Sequence, residues 1–212
     1  MSVGIDLAHQ PAFGDRAALG LAVSAAEQIG YSSVWVPTGD RDDRDAPVVV
    51  AAAASDRIRR GVALDGDRSR DAADEIATLE HHVGDRLLVA VPAIGFRAVT
   101  DGPATVLLAD VPGGRLPRRA AGWSPLDPTI GDLTNGRGLL VPRVRVQVTD
   151  APLDETRPDW HGSVAQLTDD VTRAVAAGAT EVVLALHDRP PFDEALRRWA
   201  LLAEALEHAA SS

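Results

Sequence analysis

The sequence predicts an α/β fold built on a parallel sheet, and two observations support this prediction. Seven short apolar runs have the composition of β-strands, and nearly all of them are followed by segments with helical periodicity. Strands that alternate with helices at this spacing form βαβ units. A doubly wound sheet and a βα barrel both satisfy the pattern, because periodicity alone does not distinguish them.

The predicted elements follow one another from the beginning of the sequence to its end. The strand candidates are residues 3–7, 32–37, 60–64, 86–91, 104–109, 138–148 and 180–187. Apolar residues recur at helical spacing in 15–30, 46–58, 70–83, 115–121, 163–178 and 192–209. In the first of these helices, Asp15 is placed to cap the start and Gly30 to end it. Gly, Pro and Asp are frequent in 122–137 and 149–162, which predicts loops.

Composition narrows the classes of protein and partner. The chain has 212 residues, of which 45% are hydrophobic and 25% charged, as expected for a single globular domain. A net charge of −10 opposes nucleic-acid binding, and the lack of cysteine excludes disulfides and thiolate metal sites. We find no secretory leader and no apolar run of about 18 residues. We therefore expect a soluble cytoplasmic protein without a membrane or nucleic-acid partner.

Three phrases, in this order, resemble the luciferase-like monooxygenase superfamily of flavin- and deazaflavin-dependent βα barrels. They read AAEQIGYSSVWVP (25–37), APVVVAAAASDRIRRGVAL (46–64) and ADEIATLEHHVGDRLLVAV (73–91). Two later stretches, TVLLADVPGGRLPRRAAGWSP (105–125) and DDVTRAVAAGATEVVLAL (169–186), are similar to family phrases as well. The resemblance implies a single-domain TIM-like βα barrel. It also implies an FMN- or deazaflavin-dependent oxidoreductase or monooxygenase, with the coenzyme at the carboxyl ends of the strands.

Departures from the family pattern predict a smaller barrel and an altered pocket. The chain passes almost directly from the fourth strand to the Gly-Gly strand, so we expect about seven strands and a reduced or incomplete barrel. After the second strand, Thr38 and Gly39 stand where the family often carries an acidic residue and a histidine. The glycine-rich turn after the fourth strand is replaced by VAVPAIG, and we expect Val89, Val91 and Pro92 to crowd the coenzyme ring there.

Candidate cofactor-binding residues follow three of the predicted strands. Gly113 and Gly114 lie between a strand and a predicted helix, where backbone N–H groups bind anions, and the Arg115 guanidinium can grip a phosphate. The resemblance implies coenzyme contact at this turn, although a plain tight turn is the alternative. Asp65 follows the third strand, where family members often hold a non-prolyl cis peptide against the cofactor. Thr38, directly after the second predicted strand, is the fifth candidate cofactor-binding residue.

Candidate catalytic residues lie at the ends of the first and last strands. His9 follows the first strand, and His187 and Asp188 follow the last. If the chain closes into a barrel, all three are expected on the same face. A histidine beside a carboxylate acts as a general base or orients a ligand. The alternative for each is a solvated loop.

A basic strand has two interpretations. Arg143, Arg145 and Gln147 alternate with valines, a half-buried pattern. In one interpretation the arginines reach into the barrel and hold a phosphate. In the other, which the pattern favours, the strand is an exposed edge beside the missing elements. An exposed edge has unpaired backbone groups, which makes pairing with a second copy of the chain an attractive arrangement.

Three functions are therefore open. The chain is a small oxidoreductase that binds FMN or deazaflavin and acts on an unknown small molecule. Alternatively, it is a catalytically silent paralogue that binds a cofactor or serves as a subunit of a full-length homologue. A sugar-phosphate barrel enzyme using His187, Asp188 and the Gly-Gly turn is the third. We expect a homodimer or a heterodimer with a homologue.

Overall fold

A computed structural model describes residues 1–8, 10, 13, 15–38, 46–64, 72–93, 96, 102–109, 116–133 and 138–211. All strand pairs within them are parallel, and they form one curled sheet. The strands are β1 (Val3–Asp6), β2 (Ser33–Trp35), β3 (Arg59–Ala63), β4 (Leu87–Val91), β5 (Thr105–Leu108), β6 (Gly122–Trp123), β7 (Leu139–Leu140), β8 (Arg143–Val148), β9 (His161–Gly162) and β10 (Val182–Leu186). The helices are α1 (Arg16–Ile29), α2 (Ala46–Ala54), α3 (Ala72–Val83), α4 (Val164–Ala176) and α5 (Phe192–Ser211). The predicted α/β class and reduced TIM-like βα barrel are confirmed.

The sheet bends back on itself through one extended segment. The strand order is β7-β6-β5-β4-β3-β2-β1-β10-β8-β9. Its β7 end is covalently continuous with β8, because only Val141 and Pro142 separate the two strands. The Val141 N–H donates to Trp123 O at 2.8 Å on one side, and the Val183 N–H donates to Pro142 O at 2.9 Å on the other. Residues 139–148 therefore connect β6 to β10 around the barrel.

Helices cover only part of this barrel. α1, α2 and α3 follow β1, β2 and β3, and α4 and α5 follow β9 and β10. No α-helix follows β4, β5, β6 or β7 in the part of the chain that the structure describes. Within the described residues, the barrel is therefore reduced by the lack of α-helices after these four strands.

Helix boundaries match the capping residues in the sequence. The Ala17 N–H donates to the Asp15 carboxylate at 3.3 Å at the start of α1, and Gly30 ends it at a φ of 104°, in the left-handed region. Ser163 and Gln166 form a reciprocal capping box at the start of α4. These local interactions satisfy backbone groups that a helix end otherwise leaves without partners.

Alternating strand residues divide the core into two layers. One set packs against the helices and includes Val34, Val62, Val89 and Leu184. The other set forms a smaller cluster inside the barrel, made of Trp35, Leu88, Ala90, Leu107, Val141 and Val183. Both faces of the strands are therefore buried, as in other parallel sheets.

Two expectations about local structure were wrong. Residues 116–121, the described part of the predicted helix 115–121, form no helix. Pro117 has no N–H to donate, and the Ala120 N–H closes a turn onto Pro117 O at 3.0 Å. The predicted loops 122–137 and 149–162 contain β6 and β9, which pair with β5 and β8. Two-residue strands are too short to produce a periodic signal.

The interpretation of Arg143–Val148 as an exposed edge is also wrong. Strand β8 pairs with β10 on one side. On the other side it pairs with β9, and Leu126 forms an isolated bridge with Arg143. An unpaired edge at β8 therefore gives no reason for dimerisation, and the homodimer or heterodimer stays a prediction.

None of the described helices combines the length and the apolar character that a membrane span requires.

Candidate functional site

A cavity of about 450 Å³ opens at the carboxyl ends of the strands. Six strands or the segments that follow them contribute to its wall, namely β1, β2, β3, β5, β6 and β8. The lining residues are Asp6, Ala8, Trp35, Val36, Pro37, Thr38, Ala63, Leu64, Ala109, Leu126 and Arg143. In βα barrels this end of the barrel carries the active site, because the strand ends converge there.

Arg143 supplies a buried positive charge to the cavity. Its side chain enters from the first position of β8, and the residue is only 6% exposed. The guanidinium carbon lies 5.1 Å from the centre of the Trp35 ring, within cation–π range. Burial lowers the pKa of the Arg143 guanidinium, and the carboxylates of Asp6 and Asp127 oppose that shift. Arginine stays protonated at neutral pH all the same, so the cavity contains a fixed cation.

Asp6 places a carboxylate in the same wall. It is the last residue of β1 and is 2% exposed. The Ala8 N–H donates to its Oδ1 at 2.7 Å, which holds the carboxylate at the strand end. The cavity wall therefore holds a buried acidic side chain as well as a buried basic one.

Two residues that line the cavity have side-chain donors without acceptors within the described residues. Arg143 Nε and Trp35 Nε1 are buried and have no hydrogen-bond partner within the described residues. Unsatisfied buried donors are rare in proteins, because each one loses its hydration without compensation. A ligand with carbonyl or anionic oxygen atoms would satisfy both.

Most of the other lining residues are apolar, and three of them are alanines. Ala63 and Ala109 pack partly buried against the inner cluster, which also contains Ala90. Val89 and Val91, by contrast, belong to the outer layer that packs against the helices. The expectation that these two valines crowd a coenzyme ring was therefore wrong, because strand alternation turns them away from the barrel interior.

The predicted site residues have different positions. Thr38 lines the cavity and is half-buried. His187 and Asp188 are exposed and do not line it. Asp188 Oδ2 accepts from Arg198 Nη1 of α5 at 2.6 Å, so this carboxylate is paired with a cation and not with a histidine. The remaining candidates, His9, Asp65, Gly113, Gly114 and Arg115, lie outside the described residues.

Sequence reasoning missed three cavity residues or misread their role. Asp6 was not singled out, although a carboxylate within the apolar run VGIDL is an available signal. Trp35 lies in the same kind of run and was taken as part of a strand. Arg143 was noticed, but the edge interpretation was preferred to the one in which it reaches into the barrel.

Comparison with known proteins gives a likeness of fold. No protein-family model matches the sequence, and no curated protein sequence is detectably similar to it. The chain is similar in structure to the coenzyme F420 dependent tetrahydromethanopterin reductase from Methanopyrus kandleri. The TM-score is 0.64 and the identity 12%, over 98% of this chain and 99% of that one. The chain therefore has a barrel fold like that of this reductase.

A second solved structure shows that the fold alone does not decide the chemistry. The GH99 endo-alpha-mannosidase from Bacteroides thetaiotaomicron matches with a TM-score of 0.53 and 12% identity, over 93% of this chain and 82% of that one. A reductase and a glycosidase thus share the architecture, and function has to be argued from the residues of the site.

Proposed function

We propose that this chain is a shortened luciferase-like oxidoreductase homologue that binds a deazaflavin or flavin coenzyme at the carboxyl ends of its strands. The proposal rests on one observation: the cavity is lined mostly by apolar residues, and two of its other lining residues, Arg143 and Trp35, have buried side-chain donors without acceptors within the described residues. A planar coenzyme ring with carbonyl oxygens along one edge complements both parts of such a cavity. The likeness of fold to an F420-dependent reductase favours the deazaflavin over FMN.

The residues present fit such a ring. Ala63 and Ala109 have small side chains, against which the flat face of the ring would pack. Arg143 Nε and Trp35 Nε1 would donate hydrogen bonds to the carbonyl oxygens along its edge. The Arg143 charge would also stabilise negative charge on the pyrimidine part of the ring. Thr38, half-buried in the wall, would offer a hydroxyl to the polar side chain of the coenzyme.

When bound, the coenzyme supplies hydride-transfer chemistry, and the protein contributes binding, orientation and electrostatics. Arg143 would keep the ring in one orientation, because its guanidinium is held over Trp35. Asp6 would partly balance the charge of Arg143 and accept a hydrogen bond from an N–H of the ligand.

A catalytically silent binding protein is the second candidate, and the surroundings of the predicted catalytic residues favour it. No histidine lines the cavity among the described residues, and Asp188 is paired with Arg198. A protein of this kind would bind the coenzyme without turning over a substrate, alone or as a subunit with a full-length homologue.

Coenzyme titration tests the binding that both candidates share. Purified protein is titrated with F420 and with FMN, and binding is followed by coenzyme fluorescence. Arg143→Gln should weaken binding about 10- to 100-fold, which corresponds to the ~1.5–3 kcal/mol of a hydrogen bond from a charged group. Arg145→Gln is the matched control, because Arg145 lies two positions after Arg143 on the same strand. Its side chain is exposed and forms an ion pair with Asp127.

The outcomes separate the two candidates. Saturable binding that depends on Arg143, followed by transfer of hydride from the reduced bound coenzyme to an added acceptor, supports the oxidoreductase. The same binding without transfer to any of a panel of acceptors supports the silent protein. Equal binding by the Arg143 and Arg145 variants, or no saturation by either coenzyme, removes the cavity as the coenzyme site.

A further inference from the structure

We propose that His161 and His187 together bind one divalent transition-metal ion at the rim of the barrel, next to the cavity but separate from it. The two histidines follow one another around the barrel on β9 and just after β10, with β8 between them. This proposal is independent of the coenzyme, because neither histidine lines the cavity.

Strand register brings the two histidines to the same level. Gln147 of β8 is the register partner of His161 on β9. On its other side, the His187 N–H donates to Val146 O at 2.9 Å, which continues the β8–β10 ladder by one residue. In a parallel sheet, neighbours at one level project to the same face. His161 and His187 therefore both stand beside Gln147 on one face.

The two imidazole rings approach one another over β8. Two strand spacings of about 4.8 Å each would separate side chains that stood upright on β9 and β10. The ring centres of His161 and His187 are instead 6.3 Å apart, with an angle of 55° between the planes. A metal ion bonded to two imidazole nitrogens at about 2.0–2.1 Å needs ring centres roughly 5–6 Å apart, which small side-chain rotations achieve.

The hydrogen bonds of His161 leave a ring nitrogen suited to a metal. Its Nδ1 lies 3.1 Å from Asp159 O, and because a carbonyl only accepts, Nδ1 carries the proton when this bond forms. Nε2 then has a lone pair. Histidines that bind metals commonly donate their other N–H in this way, which fixes the ring orientation. His187 has no ring hydrogen bond within the described residues, so its nitrogens are available.

The charges around the pair permit a cation. Arg157 lies near, since its Nη1 donates to His161 O at 2.8 Å, but the same guanidinium is neutralised by Asp170. Asp159 and Asp188 are close to the pair in sequence and are paired with Arg173 and Arg198, so the nearby arginines are balanced by carboxylates, and the chain carries a net charge of −10. His187 is exposed and His161 half-buried, so a metal has access from solvent.

The ligand chemistry defines the class of metal. Neutral imidazole suits Cu²⁺, Ni²⁺ and Zn²⁺, whereas Mg²⁺ and Ca²⁺ prefer oxygen. In the described residues no three His, Asp or Glu side chains form a closed metal cluster. The site would thus supply two protein nitrogens, with water completing the coordination, and Cu²⁺ should bind more tightly than Ni²⁺ or Zn²⁺.

Calorimetric titration with Cu²⁺ and Zn²⁺ tests the site on the coenzyme-free protein. We expect one saturable site per chain, and an electron paramagnetic resonance spectrum of the Cu²⁺ complex that reports two nitrogen ligands. His187→Ala and His161→Ala should each weaken binding by about tenfold or more. His81→Ala/His82→Ala is the control for ring proximity alone: these rings are also close, at 5.4 Å, but consecutive residues of helix α3 point in different directions, so we expect no shared metal ion there.

Three results would overturn the proposal: undiminished affinity in either single variant, loss of binding in the α3 control, or no saturable binding by the unmodified protein. Because His187 is exposed, its variant is expected to fold and to decide the test even if the His161 variant does not. Coenzyme binding measured on the same variants should be unchanged. Failure of the metal site is therefore distinguishable from failure of the coenzyme proposal.

Discussion

Gly61 on β3 lies against the indole of Trp35 on β2 so closely that a side-chain carbon at position 61 would overlap the ring. This contact lets the indole lie across the inner cluster, beneath the Arg143 guanidinium. The glycine on β3 thereby determines the position of the Trp35 ring and of the Arg143 guanidinium that contacts it.

Gly61→Ala should move the Trp35 ring. We expect a loss of about 1–3 kcal/mol in the free energy of unfolding, because the added methyl group enters a filled interior. Coenzyme affinity should fall as well. Urea unfolding and coenzyme titration measure the two effects. In the control variant Gly20→Ala the added carbon has ordinary contacts, at 3.8 Å from Val50, and a gain of about 0.5–1 kcal/mol is expected in the helix. Equal stability of both variants would contradict this account.

Gly122→Ala should disturb the pairing of β6 with β7. A Cβ at Gly122 would overlap the main-chain carbonyl of Leu139, and a backbone group in a ladder has less freedom to move than a side chain. We therefore expect a larger loss of stability than for Gly61→Ala. Thermal unfolding monitored by circular dichroism compares them, and a melting temperature at or above that of Gly61→Ala would rule out this explanation.

Asp170→Ala should release the segment before α4. Asp170 is fully buried and accepts from both Arg157 amino groups, at 2.7 and 2.8 Å, and from the Trp160 N–H at 3.0 Å. Removing one member of a buried pair leaves the other charge uncompensated, which costs about 3–5 kcal/mol. The exposed neighbour Asp169 provides the control, since Asp169→Ala should change stability by no more than about 0.5 kcal/mol. Urea unfolding distinguishes the two variants, and similar losses would mean that the pair does not hold the segment.

Alkaline pH should act through Tyr31, the single tyrosine of the chain. Its hydroxyl donates to Trp199 O at 2.8 Å, and burial raises its pKa well above the ordinary value of 10.0. A raised folded-state pKa stabilises the fold fully below pH 10 and progressively less above it, because the unfolded chain then ionises first. Tyrosinate absorbance should therefore appear only on unfolding. In the Tyr31→Phe variant, the free energy of unfolding should decrease less steeply above pH 10. Tyrosinate formation in the folded protein near pH 10 would contradict this.

The sequence predicted the longer elements because each one has a pattern that extends over several residues. Strand β4 is a continuous apolar run, and α1 begins and ends at the residues expected from capping. The prediction of secondary structure failed where tertiary packing, and not a local sequence pattern, determines the conformation. Pro117 interrupts a stretch whose apolar spacing suits a helix. The two residues of β6 acquire strand geometry only because β5 and β7 lie beside them.

Only part of the candidate site was open to sequence reasoning. Thr38 was found because it follows a predicted strand. Asp6 and Trp35 meet because β1 pairs with β2, and Arg143 joins them because β8 pairs with β10 on the other side of β1, and these pairings bring together residues far apart in sequence. The alternating pattern of Arg143, Arg145 and Gln147 shows that one face is polar, but not whether that face looks outward or into the barrel.

The pairing of β1 with β10 has a consequence for how the protein is made. The first and last of the described strands are direct neighbours, with Val3 opposite Val182. The units from β1 to β4 can form local contacts during translation, whereas β1 has to wait for β10 before its second side is covered. Contacts between residues so distant in sequence slow folding. During translation, one side of the apolar strand β1 thus stays uncovered until β10 has been synthesised, and exposed apolar strands are surfaces to which chaperones bind.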